Sequence, residues 1–188
     1  MSQQPPSGPY DQNPYGGAPG SPYGSGAPGG GVPAEVLPRF LARLIDGLLL
    51  GAISVVLGLV LGGGAVISGV GQGTSYAVSA LISLLGVAIG FAYFGFMDSS
   101  QGGTLGKKAL SLRVVSPTGG NPTFTESVKR NIFLAVGILG LLPFLGLISP
   151  LITLVAYITI AVGISQDTDR RQAWHDRFAG GTQVVKTS

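Results

Sequence analysis

Residues Gly47 to Met97 read GLLLGAISVVLGLVLGGGAVISGVGQGTSYAVSALISLLGVAIGFAYFGFM and contain no Asp, Glu, Lys or Arg. An α-helix needs about 20 apolar residues to cross the hydrocarbon core of a bilayer, so this block is too long for one crossing. Its middle, Leu61 to Ser75, is rich in Gly and divides the block in two. We therefore predict a first transmembrane helix at about residues 39–61 and a second at about residues 76–97.

The composition of the whole chain agrees with an integral membrane protein. Charged residues make up 10% of the 188 residues, against about 25% in soluble domains, and hydrophobic residues make up 45%. The absence of Cys excludes disulfides and metal–thiolate sites, and a single His excludes a multi-histidine metal site. We expect no cofactor, no metal and no catalytic residues, because no nucleophile–base pair is visible. The basic residues flank apolar spans, so no nucleic-acid partner is expected.

Residues 1–35 differ in composition from the rest of the chain. They are rich in Pro, Gly and Tyr, and Asp11 is the only charged side chain before residue 34. Such a segment buries too little apolar surface to offset the entropy of ordering it, so we predict a disordered cytoplasmic tail. A tail of this composition suits docking of partner proteins. Residues 36–188 form the predicted membrane domain.

A second uncharged block runs from Asn131 to Gln166. It is longer than one average span and shorter than two. Pro143, Gly146 and Pro150 lie in its middle and favour either one kinked helix or a tight hairpin. In the hairpin interpretation the spans cover about residues 131–146 and 149–165, and the turn lies near residues 145–150.

The basic residues favour the hairpin. None lies between the first two predicted spans; all eleven lie elsewhere, at Arg39, Arg43, Lys107, Lys108, Arg113, Lys129, Arg130, Arg170, Arg171, Arg177 and Lys186. The positive-inside rule places these clusters in the cytoplasm, so an even number of crossings separates the middle loop from the C-terminus. We predict an all-α bundle of four transmembrane helices in the bacterial plasma membrane, with both termini cytoplasmic. Three spans are the alternative.

The polar segments outside the spans predict a small cytoplasmic β element. Leu112 to Val115 is short and β-branched, and Gly180 to Lys186 has a strand-like pattern, so we expect the two to pair. Between them, Pro122 to Arg130 suits a short amphipathic helix on the membrane surface, with Thr123 or Thr125 as its N-cap.

Three charged residues share one face at the start of the first span. Arg39, Arg43 and Asp46 are spaced i, i+4 and i+7. Asp46 lies about 10 Å along the helix axis from Arg39, and a carboxylate at that depth costs on the order of 3 kcal/mol. In the structural interpretation, Asp46 forms an ion pair with Arg39 or Arg43. In the functional interpretation, it binds a cation or a proton.

The segment after the last span contains His175 and Asp176. Adjacent residues on a helix point about 100° apart, so these two do not form a ready catalytic dyad. We favour a polar contact between this segment and Arg39 or Arg43 at the cytoplasmic face.

The middle loop contains GGTLGKK at residues 102–108. This run lacks the spacing of a phosphate-binding loop. Lys107 and Lys108 are instead expected to contact anionic lipid head groups.

Glycines four residues apart mark the first two spans, in the pairs Gly47 and Gly51, Gly58 and Gly62, and Gly86 and Gly90. Small residues at this spacing allow helices to approach closely. We expect these faces to pack within the chain.

Three of these segments together resemble the RDD family of bacterial membrane proteins. The family pattern opens its first span with an Arg and places an Asp seven residues on, as Arg39 and Asp46 do here. Its middle segment, GxTLGKxxLxLRVV, is similar to residues 102–115. Its last segment, RQxxHDxxAGTxVV, is similar to residues 171–185, with one extra Gly at position 181. The Pro/Gly/Tyr-rich tail resembles that of actinobacterial members.

The resemblance implies a limited set of functions. The family has no settled common activity; transport has been proposed, and some members are linked to cation/proton antiport. Arg39, Asp46 and Asp176 match the charged residues of the family pattern. We expect small-solute or cation/proton transport, for which so few spans imply a homo-oligomer. The alternative is a non-catalytic envelope scaffold that recruits partner proteins through its tail.

Overall fold

The computed structural model describes residues 30–62 and 72–187. The predicted tail therefore lies outside the described residues, except for its last few positions. In the described part of the chain, three helices are long and apolar enough to cross a membrane: Val36–Leu61, Tyr76–Gln101 and Phe144–Gln166.

The elements follow one another along the chain with short connections. In order they are β1 (Val32–Pro33), α1 (Val36–Leu57), α2 (Gln72–Gln101), α3 (Leu105–Ala109), β2 (Leu112–Val115), α4 (Phe124–Arg130), a 3₁₀ helix (Ile132–Leu141), α5 (Pro143–Gln166), α6 (Trp174–Phe178) and β3 (Gln183–Lys186). A π-helical turn, Gly58–Gly62, continues α1. The first two predicted spans are confirmed as candidate membrane helices, and both extend a few residues beyond the predicted bounds.

The second uncharged block folds back on itself at Leu142. The 3₁₀ helix starts beside the beginning of α1, where Arg43 contacts Asn131, and ends beside the beginning of α2, where Tyr76 donates to the Leu141 carbonyl. The predicted turn near residues 145–150 is wrong, because α5 already begins at Pro143. Proline suits that first position, since its missing N–H would have no helical partner there.

The 3₁₀ helix is shorter than a bilayer is thick. Its 10 residues rise about 2.0 Å each, or about 20 Å in total, against a hydrocarbon core of about 30 Å. The segment predicted as the third span therefore does not have the length of a spanning helix. It returns the chain to the far end of the bundle, from which α5 runs back.

A three-stranded antiparallel sheet, in the order β1–β3–β2, closes one end of the bundle. The predicted pairing is confirmed: Leu112 lies opposite Lys186, and Val115 lies opposite Gln183. Because β2 follows α2 and β3 follows α5, the sheet holds the C-terminal ends of both helices at the same end of the bundle. Gly180 and Gly181 lead into β3 with φ of 88° and 91°, values that favour glycine.

The predicted short helix is confirmed as α4. Thr123 is its N-cap and accepts a hydrogen bond from the Glu126 N–H, while the Glu126 carboxylate accepts one from the Thr123 N–H. This capping box satisfies two backbone donors and fixes where the helix begins.

Burial divides the molecule into a packed end and an apolar exposed remainder. A small core joins the sheet to α1 through Ala34, Ala42, Leu112, Val114 and Val184. Along α1 and α5, in contrast, large apolar side chains are exposed. A soluble protein would bury most of this surface, whereas a bilayer covers it.

The glycine spacings do not mark close helix contacts within the chain. A Cβ added at Gly47, Gly51, Gly58 or Gly86 meets no heavy atom within 4 Å, and one added at Gly90 meets only Leu134, at 3.6 Å. The predicted intramolecular packing is therefore wrong at the first four of these glycines, whereas Gly90 is buried and packs against Leu134.

Candidate functional site

Polar and charged side chains gather at the end of the bundle that carries the sheet. They come from segments far apart in sequence, and most are buried. We call the following set the charged cluster: Arg39, Arg43, Asp46, Asp98, Lys107, Arg130, Asn131, His175 and Asp176.

Asp46 is buried and accepts hydrogen bonds from three uncharged donors. The Tyr93 hydroxyl donates to Oδ1 at 2.7 Å, the Thr104 hydroxyl to Oδ2 at 2.6 Å, and the Gly106 N–H to Oδ1 at 2.8 Å. Thr104 is also the N-cap of α3 and accepts from the Lys107 N–H. The carboxylate therefore fastens α1 to α2 and to the first turn of α3.

The predicted ion pair of Asp46 with Arg39 or Arg43 is wrong. No ion pair within residues 30–62 and 72–187 includes Asp46. Three donors occupy most of the roughly four acceptor positions of an ionised carboxylate, which leaves little capacity for a cation. The described residues also contain no group of three or more His, Asp or Glu arranged to hold a metal.

Asp98 and Lys107 form a second closed unit. The Lys107 ammonium lies 2.7 and 2.8 Å from the two Asp98 carboxylate oxygens, and Asp98 is fully buried. Burial lowers the pKa of Lys107 to about 8, and the Asp98 carboxylate offsets part of that effect. Lys107 thus points to Asp98 rather than to a lipid surface. Lys108, the other predicted head-group contact, is hydrogen-bonded to Gln101 at an exposed position.

Asp176 lies between two arginines from different helices, Arg39 of α1 and Arg130 of α4. Arg39 Nη1 donates to Oδ2 at 3.1 Å, and Arg130 Nη2 lies 3.0 Å from Oδ1 in an ion pair without hydrogen-bond geometry. The Ala173 N–H also donates to Oδ2. Burial alone would raise the pKa of Asp176, but Arg130 and Arg39 lower it to about 2. The polar contact predicted between this segment and Arg39 is present.

His175 is buried beside Asp176 and is uncharged at neutral pH. Burial lowers its pKa to about 3; Asp176 opposes that shift, and Arg130 adds to it. Its ring packs edge-on against Phe133 and Trp174, with centroid distances of 6.3 and 5.9 Å. The 3.6 Å approach of Nε2 to Asp176 is therefore not an ion pair of two charged groups.

Arg43 is surrounded by neutral groups. Its guanidinium donates to Asn131 Oδ1 at 3.0 Å and to the Tyr157 hydroxyl at 3.3 Å. It also lies over the rings of Phe94 and Phe133, at 3.8 and 4.9 Å from their centroids. No carboxylate in the described part of the chain forms an ion pair with it. Arg43 therefore keeps an uncompensated positive charge.

A cavity of about 460 Å³ opens beside Arg43, within the range of about 300–1,000 Å³ that is typical of small-molecule sites. Its polar part is lined by members of the charged cluster, one of them a carboxylate: Arg39, Arg43, Asp46, Lys107, Arg130, Asn131 and His175. Apolar residues, mostly of α1 and α5, line the rest. Three buried nitrogen atoms of these lining residues have no hydrogen-bond partner in the described residues: Arg43 Nη2, Arg130 Nη1 and His175 Nδ1. Buried polar groups are nearly always paired, so unpaired guanidinium donors beside a cavity indicate a binding site.

A comparison with protein families covers this whole cluster. The RDD family model matches residues 33–180. The chain belongs to the RDD family. The match includes every member of the charged cluster, and it extends from β1 to the loop before β3. Comparisons with curated proteins and with solved structures each gave no match.

The structure of this RDD protein assembles most residues that the sequence singled out, and it adds others. Arg39, Arg43, Asp46 and His175 line the cavity, and Asp176 adjoins it through Arg39. Asp46 is at the same time engaged by its three donors. Sequence reasoning missed three residues that complete the cluster: Asp98, Arg130 and Asn131. Their position in the sequence could have predicted their place in the cluster. Asp98 directly follows one uncharged block, and Arg130 and Asn131 stand at the start of the other.

Proposed function

We propose that this RDD protein is a non-catalytic membrane protein that binds an anionic solute in the cavity of the charged cluster, as the recognition step of solute transport. The observation that carries the proposal is the unpaired, buried guanidinium edges of Arg43 and Arg130 beside that cavity. Arginine presents several donors in a fixed fork, which suits phosphate and carboxylate groups.

The balance of charge in the cluster supports an anion over a cation. Arg39, Arg43, Lys107 and Arg130 face three carboxylates, Asp46, Asp98 and Asp176, and His175 is neutral. Lys107 pairs with Asp98, Arg39 and Arg130 both pair with Asp176, and Asp46 is engaged by three neutral donors. The cluster therefore carries one more positive than negative charge, and Arg43 is its cation without an ion pair to a carboxylate.

We further propose that the sheet end of the bundle faces the cytoplasm of a bacterial cell, with an even number of crossings between the middle loop and the C-terminus. The pairing of β2 with β3 supports this topology, since it ties the segments after α2 and α5 together. The basic residues at this end support the cytoplasmic assignment. In this topology the 3₁₀ helix carries the chain about 20 Å from the sheet end into the bundle, and α5 returns it to the sheet end.

The experiment that tests anion binding uses the full chain in neutral detergent and inorganic phosphate as the probe. The intrinsic fluorescence of Trp174, the only Trp in the chain, reports thermal unfolding. Phosphate should raise the unfolding temperature more than chloride at equal ionic strength. Arg43→Gln should weaken apparent phosphate affinity about tenfold or more, as expected for loss of a charge-assisted hydrogen bond. Arg170→Gln, at an exposed arginine, is the matched control.

Cation/proton transport at Asp46 is the second candidate in this test, because intramembrane carboxylates commonly bind cations. The anion proposal predicts that sodium, compared with choline as the chloride salt, gives no stabilisation. It also predicts that Asp46→Asn lowers the unfolding temperature and leaves the response to phosphate intact. Stabilisation by sodium that disappears in Asp46→Asn, with no response to phosphate, would overturn the proposal in favour of cation binding. The scaffold function stays a prediction, since its tail lies outside the described residues.

A further inference from the structure

We propose that the occupant of this cavity is an anionic phospholipid of the bilayer, with its phosphate at Arg43 and Arg130 and one acyl chain in the groove between α1 and α5. This inference rests on the proposed anion binding and names the class of anion. Polar lining at one end of the cavity and apolar lining at the other require an amphiphile, whereas a small inorganic anion would contact only the polar end.

The apolar walls of the groove are continuous stripes on two helices. The large apolar lining residues of α1 recur every four residues and so share one face: Val36, Phe40, Leu44 and Leu48. The lining residues of α5 also share one helix face: Leu154, Tyr157, Ile160, Ala161 and Ile164. Both stripes run from the charged cluster toward the middle of the spans. An extended acyl chain has the shape that fits between them.

The groove opens sideways toward the lipid. Phe40, Leu44, Leu48 and Leu154 line it, yet each is exposed in the described structure. A ligand can therefore enter from the bilayer without first crossing water, which favours a membrane lipid over a soluble anion. An acyl chain that leaves the groove stays in contact with the apolar faces of α1 and α5.

The polar end selects the head group. Arg43 and Arg130 line this end and each has one guanidinium nitrogen without a partner, Nη2 and Nη1 respectively. Asp46, Lys107 and His175 line the same end, and the two charged groups among them are already held by hydrogen bonds within the protein. Positive pockets between membrane helices on the cytoplasmic side bind anionic head groups. A zwitterionic head group would bring an ammonium beside Arg39 and Arg43, where repulsion opposes it. The site therefore prefers phosphatidylglycerol to phosphatidylcholine.

The structure provides a matched pair of variants for the apolar end. Gly47 lines the cavity and Gly51 does not, and a Cβ added at either position meets no heavy atom within 4 Å. Both glycines lie in α1, so Gly47→Phe and Gly51→Phe change helix propensity equally. Gly47→Phe places a ring in the groove, whereas Gly51→Phe places one outside it.

Native mass spectrometry of the full chain released from detergent measures the binding of phosphatidylglycerol, of phosphatidylcholine with the same acyl chains, and of water-soluble glycerol phosphate. We expect saturable binding of one phosphatidylglycerol per chain, about tenfold tighter than phosphatidylcholine. Gly47→Phe and Arg43→Gln should each weaken it about tenfold, and Gly51→Phe should not. If Arg43→Gln fails to fold, the glycine pair still decides the outcome.

The outcomes separate this inference from the function on which it rests. If glycerol phosphate binds as tightly as phosphatidylglycerol and Gly47→Phe has no effect, the lipid assignment is overturned while anion binding stands. Equal binding of the two lipids also overturns the lipid assignment. If neither phosphatidylglycerol nor glycerol phosphate binds, both proposals fall.

Discussion

Arg43 and Asp46 stand on the same helical turn and have opposite roles. The Asp46 carboxylate accepts hydrogen bonds from Tyr93, Thr104 and Gly106, and these bonds hold parts of the fold together. Arg43 has only neutral acceptors and aromatic faces, so part of its charge is available to a ligand. The energetic cost of a carboxylate in the membrane suggested that Asp46 could be functional, but its contacts are structural. Arg43, on the same helical turn, is the candidate ligand contact.

The residue types of the site could be predicted from the sequence, but their pairing could not. Charge periodicity and the position of the spans indicated Arg39, Arg43, Asp46 and Asp176 as one cytoplasmic-side group. The partner of Asp46 could not be predicted, because Thr104 and Gly106 lie about 60 positions further along the chain. Neither residue carries a charge, so no electrostatic pattern in the sequence points to them.

His175 gives the molecule an acid-sensitive element. Its pKa is about 6.5 in an unfolded chain and about 3 in the folded protein, where burial lowers it and Asp176, Arg130, Arg39 and Arg43 surround it. Between these values the unfolded chain binds a proton that the folded protein does not. Stability is therefore lost as pH falls below about 6.5, by up to about tenfold in the unfolding equilibrium constant per pH unit.

His175→Gln should flatten this dependence, because His175 is the only histidine in the chain. The pH dependence of stability is measured by unfolding in detergent, followed by Trp174 fluorescence, from pH 7 to pH 5. This range lies above the usual pKa values of carboxylates. The variant should lose less stability across that range than the unmodified protein. Identical pH profiles for the two proteins would show that His175 is protonated without cost in the folded state.

At the scale of elements, the sequence predicted a helix that is defined by local contacts but misplaced a turn that is defined by contacts between distant segments. The α4 helix was predictable because Thr123 and Glu126 stand three residues apart and cap it without help from the rest of the chain. The hairpin turn was placed too late, since Pro143, Gly146 and Pro150 are all compatible with a helix end. Only the packing of the 3₁₀ helix against α2 and α5 decides that the chain reverses before Pro143.

The junction of α1 with α3 depends on a close backbone approach at Gly106. A Cβ at this position would lie 2.1 Å from the Ala42 carbonyl oxygen and 2.9 Å from Asp46 Oδ1. Gly106→Ala must therefore push α3 away from α1 and disturb the N–H donated to Asp46. We expect a loss of roughly 1–3 kcal/mol in unfolding free energy, as for other overpacked sites.

Gly120→Ala, in the loop between β2 and α4, is the control for a Gly-to-Ala change, because an added Cβ there meets no heavy atom within 4 Å. Chemical unfolding of both variants in detergent, followed by Trp174 fluorescence, provides the comparison. Gly120→Ala should unfold like the unmodified protein. A Gly106→Ala protein of unchanged stability would mean that α1 and α3 do not pack as closely as described.

At the scale of the whole molecule, the sheet carries topological information that hydropathy lacks. Within residues 30–62 and 72–187, three helices are long and apolar enough to span, and three crossings would put the loop after α2 and the end of the chain on opposite sides of a membrane. The β2–β3 pairing requires both on one side. The 3₁₀ helix makes the number of long helices compatible with the strand pairing. It brings the chain from Asn131 to the far end of the bundle before α5 starts, so that α5 ends at the sheet.

This topology makes a prediction that introduced cysteines can test, since the chain has none of its own. Thr118 and Thr187 are exposed at the sheet end, and Leu142 is exposed at the opposite end. In intact cells, a membrane-impermeant maleimide should label Leu142→Cys directly and should label Thr118→Cys and Thr187→Cys only after permeabilisation. Labelling of Thr118→Cys and Thr187→Cys from opposite sides would contradict the strand pairing, because hydrogen-bonded strands cannot be separated by a bilayer. Labelling of both from outside would preserve the fold and reverse its orientation, which would place the charged cluster and its cavity at the outer leaflet.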